Sequence, residues 1–403
     1  AGRLRGQRGG AGPGAQARPL MRWPAGLDAR RFLADYWQQR PLVMKGALPG
    51  FDACVDGHDL AALACDPDVE SRLVLHHPDD RWELRQGPFE EAEFDRLPAR
   101  GWTLLVQDVD KHLPPVAEVL NAFRFLPDWR LDDVMISFAA PGGSVGPHVD
   151  AYDVFLLQAE GPRQWSLDPS PVNRTLRAAA PLRLLEHFAP TETHELAPGD
   201  LLYLPPGAAH HGLGEDPSLT WSIGFRAPSV GDLLRELADT LDALEPAPRY
   251  SDAGLADAEV EPGYIAHAAV RRATALLEAS AQAGRASALA CLGRAVTRSK
   301  PWLQPPPSAE CLRPDSLAAR LRDGARLRRH PAARIAWHAG VEAVWLFAEG
   351  EAWQLPPEQA ALARRCAAGE LLGAAQVLPG GSDTLAVLAD LHGRGSLELL
   401  EPR

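Results

Sequence analysis

Between Asp133 and Phe225 the chain is cut into short apolar runs by Gly, Pro and Asp, and this texture constrains the fold more than any other feature. The runs cover 134–138, 154–157, 165–167, 201–204 and 220–225. Each is too short for an ordinary helix and is bounded by turn formers. Short strands punctuated this way predict an antiparallel sandwich or barrel, because tight turns can join antiparallel neighbours while parallel ones need long crossovers. The interval 169–198 breaks the rhythm and reads as helix or loop.

The flanks read differently. From Leu27 to Trp37 the pattern is helical, with Asp28 near the start and Phe32, Leu33, Tyr36 and Trp37 on one side. Residues 41–44 read as a short strand, and 55–130 mix short helices and strands, with turns at Asp66-Pro67 and Gly87-Pro88. After Pro228, Leu233, Leu234, Leu237, Leu241 and Leu244 recur at helical spacing until Glu245-Pro246 stops them. A second helical region covers about 264–298, and residues 301–314 carry five prolines and read as a linker. The last segment, 315–403, predicts a small α+β module. It has a helix, a hairpin at 334–336 and 343–347, and helices near 357–367 and 383–391.

A length of 403 residues accommodates two or three domains. The formal charge of −12 argues against a partner gripped through phosphates and suits a basic one. No window reaches the roughly 18 uninterrupted apolar residues of a membrane span. The five cysteines (Cys54, Cys65, Cys291, Cys311, Cys366) form no close pair. That points to neither a disulfide framework nor a zinc site, and to a reducing cytoplasm. Residues 1–21 are rich in Gly, Ala and Arg, lack the apolar core of a secretory signal, and are expected to be a disordered tail with Met21 as a candidate start.

Chemistry concentrates in the β-rich stretch. His148 and Asp150, in Gly146-Pro147-His148-Val149-Asp150, are two apart in a segment that reads as strand, so their side chains share a face. H-x-D alone is common. Here it follows a Gly/Pro-rich turn from Pro141 and precedes a strong apolar strand. A candidate third ligand follows Pro205-Pro206-Gly207: His210, with His211 as its rival. Strand parity cannot choose between them, because the Pro-Pro-Gly turn breaks the alternation. Two imidazoles and one carboxylate leave half of a metal's coordination sphere open, the arrangement that lets non-haem Fe(II) oxygenases admit O₂ and a co-substrate. Arg163, on the next strand, is suited to grip a carboxylate through a bidentate fork. 2-Oxoglutarate has two chelating oxygens and a distant carboxylate, and it fits an iron site with one inward arginine.

Several segments resemble the bacterial JmjC-type ribosomal oxygenases. They run from Asp132-Asp133-Val134-Met135-Ile136-Ser137-Phe138 through Pro141-Gly142-Gly143-Ser144-Val145-Gly146-Pro147-His148-Val149-Asp150-Ala151-Tyr152-Asp153-Val154-Phe155. Pro198-Gly199-Asp200, Pro205-Pro206-Gly207 with His210, Gly224-Phe225-Arg226-Ala227-Pro228, and Trp37-Gln38-Gln39-Arg40-Pro41 add to the likeness. The resemblance covers residues 22–403. It implies an α+β fold: a double-stranded β-helix (cupin/JmjC jelly roll), a helical dimerisation region and a C-terminal winged-helix-like module. The corresponding spans are 22–228, 229–300 and 315–403, with 301–314 as linker. It implies Fe(II) on His148, Asp150 and His210, with 2-oxoglutarate on Arg163 and O₂ as the other co-substrate. Asp133, Tyr152 and Ser222 would contact the substrate. Ala139 departs from a hydroxyl-bearing residue of some relatives.

The implied activity is hydroxylation of an arginine in the sixteenth large-subunit ribosomal protein by a cytoplasmic homodimer. The C-terminal module lacks a dense basic stripe, which argues against direct nucleic-acid binding. Three alternatives stand beside this reading: hydroxylation of a histidine in another ribosomal protein, a small-molecule cupin oxygenase or isomerase, and a non-enzymatic binding protein with a relic cupin.

Overall fold

The computed structural model describes residues 21–168, 175–178, 180–244, 249–251 and 263–402. Residues 1–20 of the tail expected at 1–21, and the helix stop at Glu245-Pro246, lie outside the described residues. The chain divides into two compact units, Ala1–Arg226 and Ala227–Arg403.

Among its described residues the first unit contains twelve strands: β1 Leu42–Met44, β2 Ser71–His76, β3 Trp82–Gln86, β4 Trp102–Val106, β5 Leu131–Ala139, β6 His148–Val149, β7 Asp153–Glu160, β8 Arg163–Asp168, β9 Glu192–Leu196, β10 Leu201–Leu204, β11 Ala209–Leu213 and β12 Ser218–Phe225. Two sheets form, in the orders β1-β10-β7-β12-β5-β4-β2-β3 and β6-β11-β8-β9. The pairs β5·β12, β6·β11, β7·β10 and β8·β9 are nested and all antiparallel. The last eight strands are therefore one long ribbon folded back at β8–β9 and wound into a jelly roll, the double-stranded β-helix that the family resemblance implies.

The larger sheet is covered on both faces, which explains its near-continuous apolar runs. On β12, Leu219, Trp221, Ile223 and Phe225 face outward into a core with Phe32, Phe123, Phe155 and Tyr203. Thr220, Ser222 and Gly224 face inward and line a cavity. The helix expected near Leu27 runs Ala29–Asp35, capped by the Asp28 carboxylate accepting from Arg31 N at 2.8 Å. Phe32 is buried and Leu33 is exposed, so the predicted face is narrower than expected. The interval 169–198 holds a strand the sequence reading missed, β9.

Two contacts fix the turn between β6 and β7. Gly207 N donates to Asp150 O at 2.7 Å. The fully buried Asp153 carboxylate accepts from Tyr203 Oη at 2.7 Å, Gln38 Nε2 at 3.0 Å and Arg130 Nη2 at 3.1 Å.

In the second unit, helices Val230–Asp242, His267–Ala286 and Ala288–Thr297 lead into a module with strands β13 Arg326–Arg329, β14 Ile335–Ala339, β15 Val344–Ala348, β16 Glu351–Leu355 and β17 Leu397–Leu400. β13 pairs with β17, and β14-β15-β16 form a three-stranded sheet that extends the predicted hairpin by one strand. Helices Pro314–Arg322, Ala360–Ala367 and Gly381–Gly393 bury Leu317, Leu362 and Leu388 in its core.

Candidate metal centre

β6 and β11 pair with His148 directly opposite His210. The two imidazole centroids are 4.2 Å apart. β6 is only two residues long, and Asp150 lies just past its end. Asp150 Oδ2 sits 3.9 Å from His148 Nε2 and 3.7 Å from His210 Nε2. One ligand atom from each residue lies within 4.8 Å of the others, and among the described residues no other cluster of three or more potential ligands occurs. The carboxylate separations are too long for hydrogen bonds. They suit a shared ion, since two bonds of about 2.1 Å span up to about 4.2 Å.

Both imidazoles are held as metal ligands need to be. His148 Nδ1 lies 2.9 Å from Gly146 O, and His210 Nδ1 lies 3.0 Å from Ala208 O. A carbonyl only accepts, so each Nδ1 carries the proton and donates, and each Nε2 keeps its lone pair. Burial drives the His210 imidazole well below its ordinary value, and His148 adds to the effect. Burial raises the Asp150 carboxyl, against the opposing pull of His148 and of a hydrogen bond from the Tyr152 hydroxyl. Two imidazoles and one carboxylate, with no further side-chain ligand, match the facial triad of non-haem Fe(II) sites. The donor set therefore fits a ferrous ion.

β11 also separates the two candidate histidines. Alternation sends His210 to the cavity and His211 to the opposite face, where its ring meets Phe188 at 6.2 Å. Burial, then the Arg163 charge, holds His211 down at about 4.

The cavity has a volume of about 430 Å³ and is lined by all three cluster residues together with Arg163, Asp133, Tyr152 and Ser222. Arg163 is 3 % exposed. Its Nη2 donates to Gly212 O at 3.3 Å, while Nε and Nη1 have no hydrogen-bond partner. Its guanidinium lies 5.2 Å from the Trp165 ring centroid, and burial pushes its pKa down to about 10. A buried guanidinium with unmade hydrogen bonds is costly unless an anion completes it.

Asp133 is buried on β5, where its Oδ2 accepts from Gln107 Nε2 at 2.7 Å and from Asp108 N at 3.2 Å. Gln107 Oε1 in turn accepts from Arg72 Nη2 at 3.3 Å. Tyr152 is half-exposed, and Ser222 sits on β12 opposite Met135. Ala139 is buried opposite Thr103 and Ser218. The sequence reading missed Gln107, Arg72 and Gly212. Only the strand register brings them to the site, and an isolated Gln or Gly offers no local signal.

Comparison with known proteins agrees with this geometry. Residues 118–233 match the JmjC domain model and residues 277–398 the ROXA-like winged helix model. The chain is 41 % identical over 219 residues to the ribosomal protein uL16 3-hydroxylase of Escherichia coli K12, a match covering 54 % of this chain and 58 % of that protein. It is 37 % identical over 213 residues to a probable ribosomal oxygenase of Haemophilus influenzae, covering 52 % of each. These alignments thus span little more than half of the curated relatives. Solved structures match over more of their length. The X-ray structure of E. coli ycfD has a TM-score of 0.78 at 32 % identity, covering 94 % of this chain and all of that one. E. coli YcfD, a ribosomal oxygenase in complex with cobalt and 2-oxoglutarate, has a TM-score of 0.75 at 31 % identity, covering 93 % of this chain and 98 % of that one. With a jelly roll, a facial triad and a winged helix in one chain, this protein belongs to the JmjC-type ribosomal oxygenase family.

Proposed function

We propose that this chain is an Fe(II)- and 2-oxoglutarate-dependent protein hydroxylase that modifies an arginine side chain of the large-subunit ribosomal protein uL16. One observation carries the reading: three potential ligands converge with their lone pairs free, in the same cavity as a buried arginine whose Nε and Nη1 have no hydrogen-bond partner. His148, Asp150 and His210 would hold the iron. When bound, the iron supplies the redox chemistry that couples O₂ and 2-oxoglutarate to oxidation of an unactivated carbon.

The chain's own residues bind and orient. Arg163 takes the distal carboxylate of 2-oxoglutarate as a charge-assisted fork. The apolar wall of Val154, Leu156 and Trp165 keeps that acid away from bulk water. Asp133, with one oxygen held by Gln107 and the Asp108 amide, offers a fixed anion to a cationic substrate side chain. Tyr152 stands at the rim, and Ser222 lies on the cavity wall. Support for the ribosomal substrate comes from the names of the uL16 hydroxylase and ribosomal oxygenase relatives and from the acidic balance of this chain, which suits a basic partner.

We read the protein as a cytoplasmic homodimer joined through 229–300, with 301–314 as linker and 315–403 as the winged module. Val230 and Leu234 on one helix, and Val270 and Leu277 on another, are apolar and exposed at i, i+4 and i, i+7 spacing. In the C-terminal module Arg320, Arg328, Arg364, Arg365 and Arg394 are each paired with a carboxylate, so the charge of these five is partly offset. No helix among the described residues is long and apolar enough to cross a membrane.

The test is succinate release with a uL16 peptide, together with mass spectrometry of that peptide. One added oxygen on arginine is expected. Addition on a histidine peptide from another ribosomal protein, or turnover of small molecules alone, overturns the assignment.

A further inference from the structure

Gly212 is on β11, directly opposite Trp165 of β8. Its backbone is ordinary strand, without the positive φ that makes glycine necessary elsewhere. Glycine weakens a strand, so at such a position it marks a close approach by another group. Here that group is Arg163. A Cβ at 212 would lie 2.8 Å from Arg163 Nε and 2.7 Å from the Trp165 ring, whereas ordinary contact begins near 3.4 Å. The Gly212 carbonyl also accepts from Arg163 Nη2. The guanidinium is thus drawn back against a strand with no side chain at that point.

We propose that Gly212 is the length gauge of the acid site, a positioning residue that sets how deep Arg163 sits and so which dicarboxylate the cavity accepts. The proposal rests on the reading of Arg163 as a carboxylate anchor. Protein packs against Arg163 on the Gly212 and Trp165 sides, and the open side is the cavity. A methyl at 212 therefore presses the guanidinium toward the bound acid by at least about 0.6 Å. That is about half of the roughly 1.25 Å that one methylene adds to an extended chain built from C–C bonds of about 1.5 Å. A five-carbon 2-oxo diacid then meets the guanidinium too soon, and a four-carbon one keeps its room.

The experiment uses the full chain loaded with Co(II) and titrates 2-oxoglutarate and oxaloacetate by calorimetry into wild type, Gly212→Ala and Arg163→Met. For Gly212→Ala we expect the dissociation constant of 2-oxoglutarate to rise at least about tenfold, the loss of roughly one good polar contact, with oxaloacetate binding nearly unchanged. If wild type fails to bind 2-oxoglutarate, or Arg163→Met binds it equally well, the anchor reading falls. If the anchor holds but Gly212→Ala keeps the wild-type ratio or weakens both acids equally, the gauge is wrong. Should Gly212→Ala not fold, Gly212→Ala with Trp165→Phe relieves the ring clash and leaves the Nε clash. The same shift toward the shorter acid is expected there, and an unshifted ratio overturns the proposal.

Discussion

Arg163→Met separates stability from function in opposite directions. A guanidinium held near 10 instead of its ordinary 12.5 is disfavoured by burial, and a shift of that size corresponds to roughly 3 kcal/mol against the charged form. The penalty is fully present at neutral pH, because Arg163 stays protonated below about 10. Methionine fills much of the same stem without the charge. The variant gives up the bond to Gly212 O and the Trp165 contact, together about 1–2 kcal/mol. Ligand-free Arg163→Met should therefore be more stable by about 1–2 kcal/mol, a rise of roughly 2–8 °C in the melting temperature of a unit this size. With 2-oxoglutarate at about 100 times its dissociation constant, wild type gains about 2.7 kcal/mol and the variant gains nothing. Differential scanning fluorimetry with and without the acid reads both effects, and the order of the two melting temperatures should reverse. A variant that is less stable without ligand, or is still stabilised by 2-oxoglutarate, refutes the assignment of Arg163 as an uncompensated anchor.

Other outcomes follow from the same geometry. Gln107→Leu removes one of the two donors that hold Asp133 Oδ2; the KM for a uL16 peptide should rise about tenfold, the effect of roughly 1.4 kcal/mol, while the dissociation constant of 2-oxoglutarate is unchanged, and equal losses in both would mark a general structural defect. Asp200 accepts from Ala197 N, Gly46 N and Lys45 Nζ; these bonds outweigh burial and lower its carboxyl below 3.8. The stabilisation is therefore complete above pH 3.8 and lost as pH falls through the folded value. Asp200→Asn should lose about 1–2 kcal/mol at pH 7 in urea denaturation, and the gap to wild type should narrow as the pH falls below 3.8; a gap that stays constant down to acid unfolding contradicts the linkage. Leu234→Asp with Leu277→Asp should shift a dimer to monomers in sedimentation velocity, and an unchanged sedimentation coefficient excludes those faces as the joint.

The β-rich core was legible because its larger sheet is buried on both sides, which writes continuous apolar runs such as 154–157 and 201–204 into the chain. β9 was hidden for the opposite reason. It is an edge strand whose Glu192, Thr193 and Glu195 are exposed, so it carries no apolar run. His148 and Asp150 announced themselves by spacing, and Arg163 by standing as a charge at the start of a strand. The choice between His210 and His211 was closed to sequence parity, because it depends on where β11 begins after the Pro-Pro-Gly turn. Gln107 and Gly212 were invisible for a related reason: each acts on a partner 26 or 49 residues away that only the ladder register brings near.

The most direct test of the central claim is anaerobic equilibrium dialysis of Fe(II) against the full chain and its single variants. The account predicts one ion per wild-type chain, retained by His211→Ala and lost by His148→Ala, Asp150→Ala and His210→Ala. Full loading of Asp150→Ala, or loss of iron from His211→Ala with the other three intact, contradicts it.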